Sequence, residues 1–482
     1  MATAATSEPI LTCAPRRAPT KQPGQDRLST MSNSTPITRR SSYGPTSATV
    51  GKRGAHTRMR IVDVSLDLFD RHGYFNTSVD AIAKEADISR ATLYQYFPGK
   101  DEIFLELLDV CGRAMYRVAR RIGPLGPTRI GFDNLNWWLG EWSWVFDKYS
   151  TMFVQWATVA NTEATVRSQV ESFVDGYVHM LTRRLDEAEL QGLDARSAAA
   201  ILVAVVHRVN LFLATDRTFG RGVDEVVDGM SVVLQLMLFP QTPASVFDDV
   251  LGSKGDSSPI AVPTLPSIEG LSADERTADL SKRATRTVYA LIEAGADQFR
   301  QKGYYRANVD DIVEAAGLAR GTFYKYFKEK QDLLVAVSIE AVRESEQIVE
   351  QLRTVDTVDL DAEALRAWIR ATVSFIDKYS GSINAWIERT ADDDLVTRLG
   401  AHWLAVFDIA IVDTLVARDL KYPIDPVISA VVLRCLVSRL PETARELDPP
   451  LSESEIIDLL AETIERGFFN KTFLLASDDH TQ

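Results

Sequence analysis

The chain has 482 residues, of which 45% are hydrophobic and 25% charged, and its formal net charge is −14 at pH 7. This length predicts two to four domains with packed cores. The three cysteines (Cys13, Cys111 and Cys435) are too few and too far apart for a disulfide framework, and polar residues interrupt the longest apolar run, 198–213, before it could span a membrane. We therefore expect a cytoplasmic, soluble protein with no membrane partner.

The first 52 residues are predicted to form a disordered basic arm, because they are rich in Ser, Thr, Pro and Arg and lack apolar periodicity. Residues 1–60 carry ten Lys or Arg and two acidic residues, a net charge of +8, which leaves −22 on the rest of the chain. Such an arm would add nonspecific phosphate contacts. The composition also fits an organellar transit peptide, or an over-extended gene start with Met31 as the true initiator.

One stretch of the chain occurs twice. Residues 67–100 and 297–330, which lie 230 positions apart, are identical at 14 of 34 positions without a gap. In each copy an apolar helical pattern ends near a glycine, and a short helix and a tight turn then lead to a second short helix. This is the layout of a helix-turn-helix, in which the second helix enters the major groove of DNA.

In the first copy we predict a helix over about 56–72 and then a short helix capped by Ser78. The recognition helix follows at Arg90–Phe97, with Leu93 and Phe97 on the face that anchors it to its own domain. The turn before it contains Asp87, which tolerates a left-handed backbone less readily than glycine does.

In the second copy Asn308 is the predicted cap of the short helix, and the recognition helix is Arg320–Phe327. Gly317 suits the left-handed conformation that such a turn needs. Ala319 has no side chain that could cap the recognition helix, whereas Ser89 in the first copy has one. The two copies are therefore predicted to be unequal.

The strings TLYQYFPGK and TFYKYFKEK, each preceded by a V-D-x-I helix and a G-Y turn, resemble the TetR family of bacterial transcriptional regulators. The resemblance implies an all-α fold with a three-helix DNA-binding domain and a C-terminal bundle that holds a small-molecule pocket and the dimer interface. Two copies in one chain resemble the less common tandem members. The resemblance and the side-chain chemistry predict DNA contacts from Ser78, Arg90, Thr92, Tyr94, Gln95, Tyr96 and Lys100, and from Asn308, Arg320, Thr322, Tyr324, Lys325, Tyr326 and Lys330.

The repeat continues beyond these motifs at the same offset, since Trp138 matches Trp368 and Trp156 matches Trp386. We therefore predict two complete units. The predicted domains are the arm 1–52, DNA-binding domains at 53–104 and 276–334, helical regulatory bundles at 105–240 and 335–470, a linker at 241–275 and a tail at 471–482. The linker prediction depends on four prolines and on Gly-Ser clusters.

Aromatic residues are concentrated in the predicted bundles. They indicate either pockets for a large apolar effector or ordinary core packing. The candidate ligand-binding residues are Trp138, Trp142, Tyr149, Phe153 and Trp156 in the first unit and Trp368, Phe375, Tyr379 and Trp386 in the second.

Four apolar helices, predicted at 195–215, 223–238, 425–440 and 453–468, lie where family members build their dimer interface. They either pair the two units within one chain as a pseudo-dimer or only close their own bundles. The sequence shows no catalytic motif, metal-ligand spacing or cofactor site, so we expect no enzyme activity, no metal and no cofactor.

The predicted function is a repressor that binds a double-stranded DNA operator and is released by a small hydrophobic effector. The alternatives are a protein that sequesters a small molecule and has degenerate DNA-binding helices, and a homodimer with four recognition helices.

Overall fold

The structure is a computed structural model that describes residues 48–162, 164–251, 260–261, 269, 271–355, 361–387, 394–416 and 424–469. Within these ranges the secondary structure is helical and contains no strand, as the sequence predicts. The helices of the first half are α1 Ala48–His72, α2 Val79–Glu85, α3 Arg90–Tyr96, α4 Lys100–Ala119, α5 Arg129–Lys148, α6 Ser150–Thr162, α7 Ala164–Leu185, α8 Ala195–Ala214 and α9 Val223–Leu238. 

Short helical segments connect the halves, namely a 3-10 helix at Ala244–Phe247, α10 Asp248–Leu251 and α11 Ala273–Thr277. The helices of the second half are α12 Lys282–Arg306, α13 Val309–Ala315, α14 Arg320–Tyr326, α15 Lys330–Thr354, α16 Ala362–Ile387, α17 Asp394–Val416, α18 Pro426–Arg445 and α19 Glu453–Phe468. The starts of α2, α3, α4 and α9 lie 230 positions before those of α13, α14, α15 and α19. The repeat in the sequence is thus a repeat in structure.

The two halves differ where the bundles begin. In the first half, α5 ends at a non-helical Tyr149 and α6 starts anew, whereas α16 runs unbroken through the equivalent positions. The first bundle therefore has an additional short helix, α6, which packs against α1, α4, α5, α7 and α8. This helix lies between the first DNA-binding domain and the rest of its bundle.

The halves meet through the apolar helices at the end of each bundle. α8 packs against α18, and α9 packs against α18 and α19. α8 and α9 are apolar over most of their circumference, which is typical of helices buried in a core. A half-buried ion pair, Arg221 Nε to Asp425 Oδ2 at 3.0 Å, joins the loop before α9 to the start of α18.

A second ion pair lies fully inside the protein. Arg434 on α18 donates from Nε to Oδ1 of Asp408 on α17 at 2.7 Å, and both side chains are excluded from solvent. The Arg434 guanidinium also lies over the ring of Phe212 on α8, 4.1 Å from its centroid. The pair therefore connects α17, α18 and the first unit at one point.

Two helices, Ala195–Ala214 and Leu395–Val416, have the length and apolar composition of a membrane span. Most of each apolar window is buried against other helices. A largely buried core helix passes the same test of length and composition.

Several predicted boundaries need correction. α1 begins at Ala48, inside the predicted disordered arm, and the rest of that arm lies outside the described residues. Both recognition helices end one residue earlier than predicted, at Tyr96 and Tyr326. The predicted linker is helical at both ends: Phe247 is buried against Phe132, at 5.1 Å between ring centroids, and α11 packs on α12. Apolar residues among the prolines provide these anchors.

Candidate DNA-binding surfaces and adjoining cavities

The first helix-turn-helix consists of α1, α2 and α3. Ser78 caps α2 by accepting a hydrogen bond from Ala81 N at 3.1 Å, and Ser89 caps α3 by accepting one from Thr92 N at 3.0 Å. Asp87 adopts the predicted left-handed conformation in the turn, with φ 50°. The local sequence thus accounts for both helix starts and for the turn between them.

The second helix-turn-helix has the same order of helices and turn, but different residues cap its helices. Asn308 and Asp311 form a reciprocal capping box at the start of α13. The turn uses Gly317 at φ 64°, a conformation that costs glycine little. As predicted, Ala319 provides no side-chain cap for α14.

The two recognition helices present the same pattern of exposure. Tyr94 and Tyr324 are 43% and 50% exposed, and Leu93 and Phe323 are buried beneath them. The other predicted contact residues fall into two classes: Ser78, Arg90, Gln95, Asn308, Arg320 and Lys325 are exposed, and Thr92, Tyr96, Lys100, Thr322, Tyr326 and Lys330 are half-buried. Tyr96 and Tyr326 pack on the domain core with one side, so they do not point fully outward as predicted.

An arginine network organises each exposed surface. Arg90 donates to Asp80 Oδ2 at 3.0 Å and to Tyr94 Oη at 3.2 Å. In the second copy Arg320 donates to Asp310 and Tyr324 at 2.6 and 3.5 Å. The tyrosine hydrogen bond and the carboxylate raise the pKa of each arginine. A guanidinium held in this way is pre-oriented on the face that would meet DNA.

Lys100 and Lys330 have a structural role that their predicted phosphate contact did not include. Lys100 Nζ donates to the carbonyls of Tyr74 and Thr77 at 2.6 and 2.9 Å, and Lys330 Nζ donates to those of Tyr304 and Ala307 at 2.7 and 2.9 Å. Burial lowers the pKa of Lys330. Each ammonium group ties the start of the following long helix to the segment that joins the first two helices of its DNA-binding domain. The phosphate contact remains a prediction.

Sequence reasoning missed a second brace. Arg58 donates to the Tyr96 carbonyl at 2.8 Å, lies over the Phe97 ring and pairs with Glu106. In the other copy Arg276 donates to the Tyr326 carbonyl at 3.3 Å and pairs with Asp332. Each arginine thus stabilises the C-terminal end of its recognition helix. They were missed because they are not 230 positions apart: one lies on α1 and the other on α11.

The DNA-binding domains dock on their bundles in different ways. In the first unit Gln155 on α6 accepts from Tyr74 N and donates to the Phe69 carbonyl, both at 2.7 Å, and Thr151 donates to Asp70 at 2.6 Å. The position equivalent to Thr151 is Gly381, where a Cβ would lie 2.2 Å from the backbone of α12. A polar clasp therefore holds the first domain, whereas close backbone contact holds the second.

The predicted ligand residues of the first unit gather around His207 on α8. Trp156 stacks on the imidazole at 5.3 Å between ring centroids, and Phe153 lies 6.0 Å away. The group borders two small cavities of about 110 and 40 Å³. Phe153 and Trp156 line the larger one, and Trp138, Trp142 and Trp156 line the smaller one. Tyr149 is buried and lines neither of them.

The predicted ligand residues of the second unit are packed together. Trp386 donates to Ser338 at 2.9 Å and lies 5.5 Å from Trp403. Tyr379 donates to Glu344 at 2.9 Å, and burial raises its pKa to about 12. Trp368 and Phe375 complete this aromatic core. None of these four predicted residues lines the cavities of the first unit, so in this structure they are packed core residues.

The fold and these surfaces define the class of protein: an all-helical protein with two helix-turn-helix domains in one chain. Residues 61–107 and 291–337 each match the family model of bacterial regulatory proteins, tetR family. Both helix-turn-helix domains are therefore TetR-like, and the chain carries two of them in tandem.

Individual relatives and one solved structure are similar to parts of this chain. The transcriptional regulator MftR of Mycobacterium tuberculosis is 42% identical over 59 residues, which are 12% of this chain and 30% of that protein. The HTH-type transcriptional regulator YhgD of Bacillus subtilis is 24% identical over 182 residues, which are 37% of this chain and 94% of that protein. A crystal structure of a TetR/AcrR family regulator from Thermobifida fusca has a TM-score of 0.30 at 21% identity, over 37% of this chain and 97% of that one.

Proposed function

We propose that this protein is a cytoplasmic, ligand-responsive repressor in which one chain acts as a pseudo-dimer on its operator. The observation that carries the proposal is the duplicated recognition surface, because α3 and α14 expose equivalent tyrosines beside the same Arg-Asp-Tyr network. Side chains held in this way suit contacts to phosphates and to the edges of guanine. Two such helices would occupy successive major grooves about 34 Å apart.

The contacts between α8, α9, α18 and α19 support pairing of the two units within one chain. A pseudo-dimer of this kind has unequal halves. Gln95 in the first recognition helix corresponds to Lys325 in the second, and the neighbouring Pro98 corresponds to Lys328. We therefore expect an operator of two related but different half-sites, with the second half-site held more strongly through its phosphates.

Ligand control is supported by the cavities of the first bundle and by the docking of the first DNA-binding domain on α6. Trp156 borders the cavities, and the adjacent Gln155 is hydrogen-bonded to the loop of the DNA-binding domain. A ligand that prefers another position of α6 would thereby favour a spacing of the recognition helices that fits DNA poorly. It can release the operator only to the extent of that preference.

The test is selection of binding sites from random duplex DNA by the purified full-length protein, followed by native mass spectrometry of the complex. We expect a bipartite, imperfectly symmetric site bound by one chain. Two chains on one site would support the homodimer with four recognition helices. No enrichment at moderate salt would favour a protein that sequesters small molecules.

Tyr94→Ala and Tyr324→Ala, made separately, assign the two half-sites. Each should weaken binding by about 1–3 kcal/mol and relax specificity in one half-site. Trp144→Ala is the matched control, because this aromatic residue is also exposed but lies on α5. If neither tyrosine variant differs from this control, α3 and α14 do not recognise the DNA.

A further inference from the structure

A large cavity lies between the two units. It has a volume of about 510 Å³. One wall consists of α6, α7 and α8 of the first bundle, and the opposite wall is the end of α12, from Phe299 to Arg306, which belongs to the second DNA-binding domain. Residues of α16 and α18 close it. The cavity therefore touches the bundle of one unit and the DNA-binding domain of the other.

The charged side chains around this cavity are mainly cationic. They are Arg167, Arg208, Arg300, Lys302, Arg306 and Arg439, against Glu171 and Glu442. Asp297 and Asp311, outside the lining, pair with Arg300 and Lys302 and partly offset this charge. The pKa of His207, in the same wall, is lowered to about 3 by burial of the imidazole and by the positive charges of Arg439 and Arg208.

The cationic cavity continues into the aromatic cavities of the first bundle. Trp156 lines all three, and His207 and Arg439 line both the largest and the smallest. Two residues of the smallest cavity have buried polar atoms: among the described residues neither Trp138 Nε1 nor His207 Nε2 has a hydrogen-bond partner. Each of these atoms is therefore available to form a hydrogen bond with a polar group in the cavity.

We propose that the junction binds an organic anion with an apolar body. Its carboxylate or sulfonate would lie near Arg208 and Arg439, and its apolar part would lie beside Trp156 in the aromatic cavities. The charge of the larger cavity selects the anionic group, and the aromatic lining selects the apolar body. This inference rests on the proposed function, because it names the chemical class of the effector and its site.

The site is adjacent to both DNA-binding domains. On one side of α6, Gln155 and Thr151 hold the end of α1 and the loop that follows it in the first domain. On its other side, Phe153, Val154 and Trp156 face the end of α12 across the cavity. An anion that draws Arg300 of the second domain towards Arg439 would change the positions of both domains through one binding event.

The experiment compares 1-anilinonaphthalene-8-sulfonate with N-phenyl-1-naphthylamine, which has the same aromatic body without the anionic group. Binding to the full chain is measured by fluorescence in the absence of DNA. We expect the anionic probe to bind about tenfold more tightly, as a charge-assisted contact predicts. Arg439→Gln and Arg300→Gln should weaken it about tenfold and severalfold, and leave the neutral probe unchanged.

Glu442→Gln provides a test in the opposite direction. Removing this carboxylate, which pairs with Arg439, should tighten the anionic probe severalfold. Arg445→Gln is the matched control, because this arginine also lies on α18 but pairs with Asp377 at the surface. Equal affinity for the two probes, or charge variants that behave like the control, would overturn the proposal.

A final experiment distinguishes binding of the anion from its effect on the release of DNA. The anionic probe is added to the protein bound to its selected DNA site. Release from wild-type protein but not from Arg439→Gln supports both the site and the effector function. Charge-dependent probe binding without release supports the site and contradicts ligand control. A protein that selects no DNA contradicts the proposed function, and the fluorescence titration still decides on the site.

Discussion

Gln155→Leu tests how the first DNA-binding domain is held on its bundle. The substitution preserves side-chain size and removes two hydrogen bonds, one from Tyr74 N and one to the Phe69 carbonyl, both 2.7 Å long. The carbonyl keeps a bond from Gly73 N at 2.9 Å, so the main cost falls on the Tyr74 amide. An unsatisfied, largely buried amide costs about 1–3 kcal/mol, and we expect about 2 kcal/mol in total.

This cost should appear as a local opening. A loss of about 2 kcal/mol corresponds to roughly 30-fold faster exchange of amides that exchange when the domain undocks. Hydrogen exchange followed by mass spectrometry should show the increase in α1, α2 and α3. Peptides from α13 and α14 should be unchanged, because Gly381 and its surroundings dock the second domain without this clasp.

Gln347→Leu, an exposed substitution of the same kind on α15, is the control for the change in side-chain chemistry. Thr151→Val removes the neighbouring hydrogen bond to Asp70 and should increase exchange in the same helices. Equal acceleration in both units, or none in the first, would refute the clasp as the element that joins α6 to the DNA-binding domain.

Three further predictions concern charge. In a plot of log affinity for DNA against log salt concentration, Lys325→Gln should make the slope less steep by about 0.9, and Gln95→Lys should make it steeper by the same amount. Unchanged slopes would mean that α14 and α3 do not contact phosphates at these positions. Lowering the pH from 7.5 to 5.0 should destabilise the wild type by about 2 kcal/mol more than His207→Asn, because the imidazole gains a proton near pH 6.5 in the unfolded chain and only near pH 3 in the folded protein. Urea unfolding at the two pH values measures the difference. Equal losses of stability in the two proteins would contradict a buried neutral histidine. Arg434→Met should lower the free energy of unfolding, measured with urea, by about 3–5 kcal/mol, because it leaves the buried Asp408 charge without a partner. Adding Asp408→Leu should recover most of this loss. A double variant that is no more stable than the single one would contradict this cause.

The helix-turn-helix could be predicted closely because its determinants are local. Ser78 and Asn308 are caps, Gly317 permits a left-handed turn, and Leu93 marks the buried face of α3. Each of these signals acts within a few residues, so a single sequence contains them. The 230-residue offset then extended the same conclusions to the second copy.

The exact ends of elements were predicted less well, because they depend on packing as well as on local preference. Phe247 makes part of the predicted linker helical because its ring packs against Phe132, more than a hundred residues earlier in the chain. The first helix begins at Ala48 although the composition around it is typical of a disordered segment. Amino-acid composition carries no information about contacts between residues that are far apart in the chain.

The sequence by itself determined the all-helical fold, the two repeated units, the recognition helices and the family. The fold and the repeat follow from periodicity, capping and internal identity, and the family follows from the resemblance of the TLYQYFPGK and TFYKYFKEK strings; all of these are contained in the order of residues along the chain. Only the tertiary structure decided that Lys100 binds carbonyls of its own domain, that Arg58 and Arg276 perform one role from different helices, and that Trp156 lies where three cavities meet. Those relations join residues far apart in the chain, and the repeat offset does not encode the contacts between its two copies.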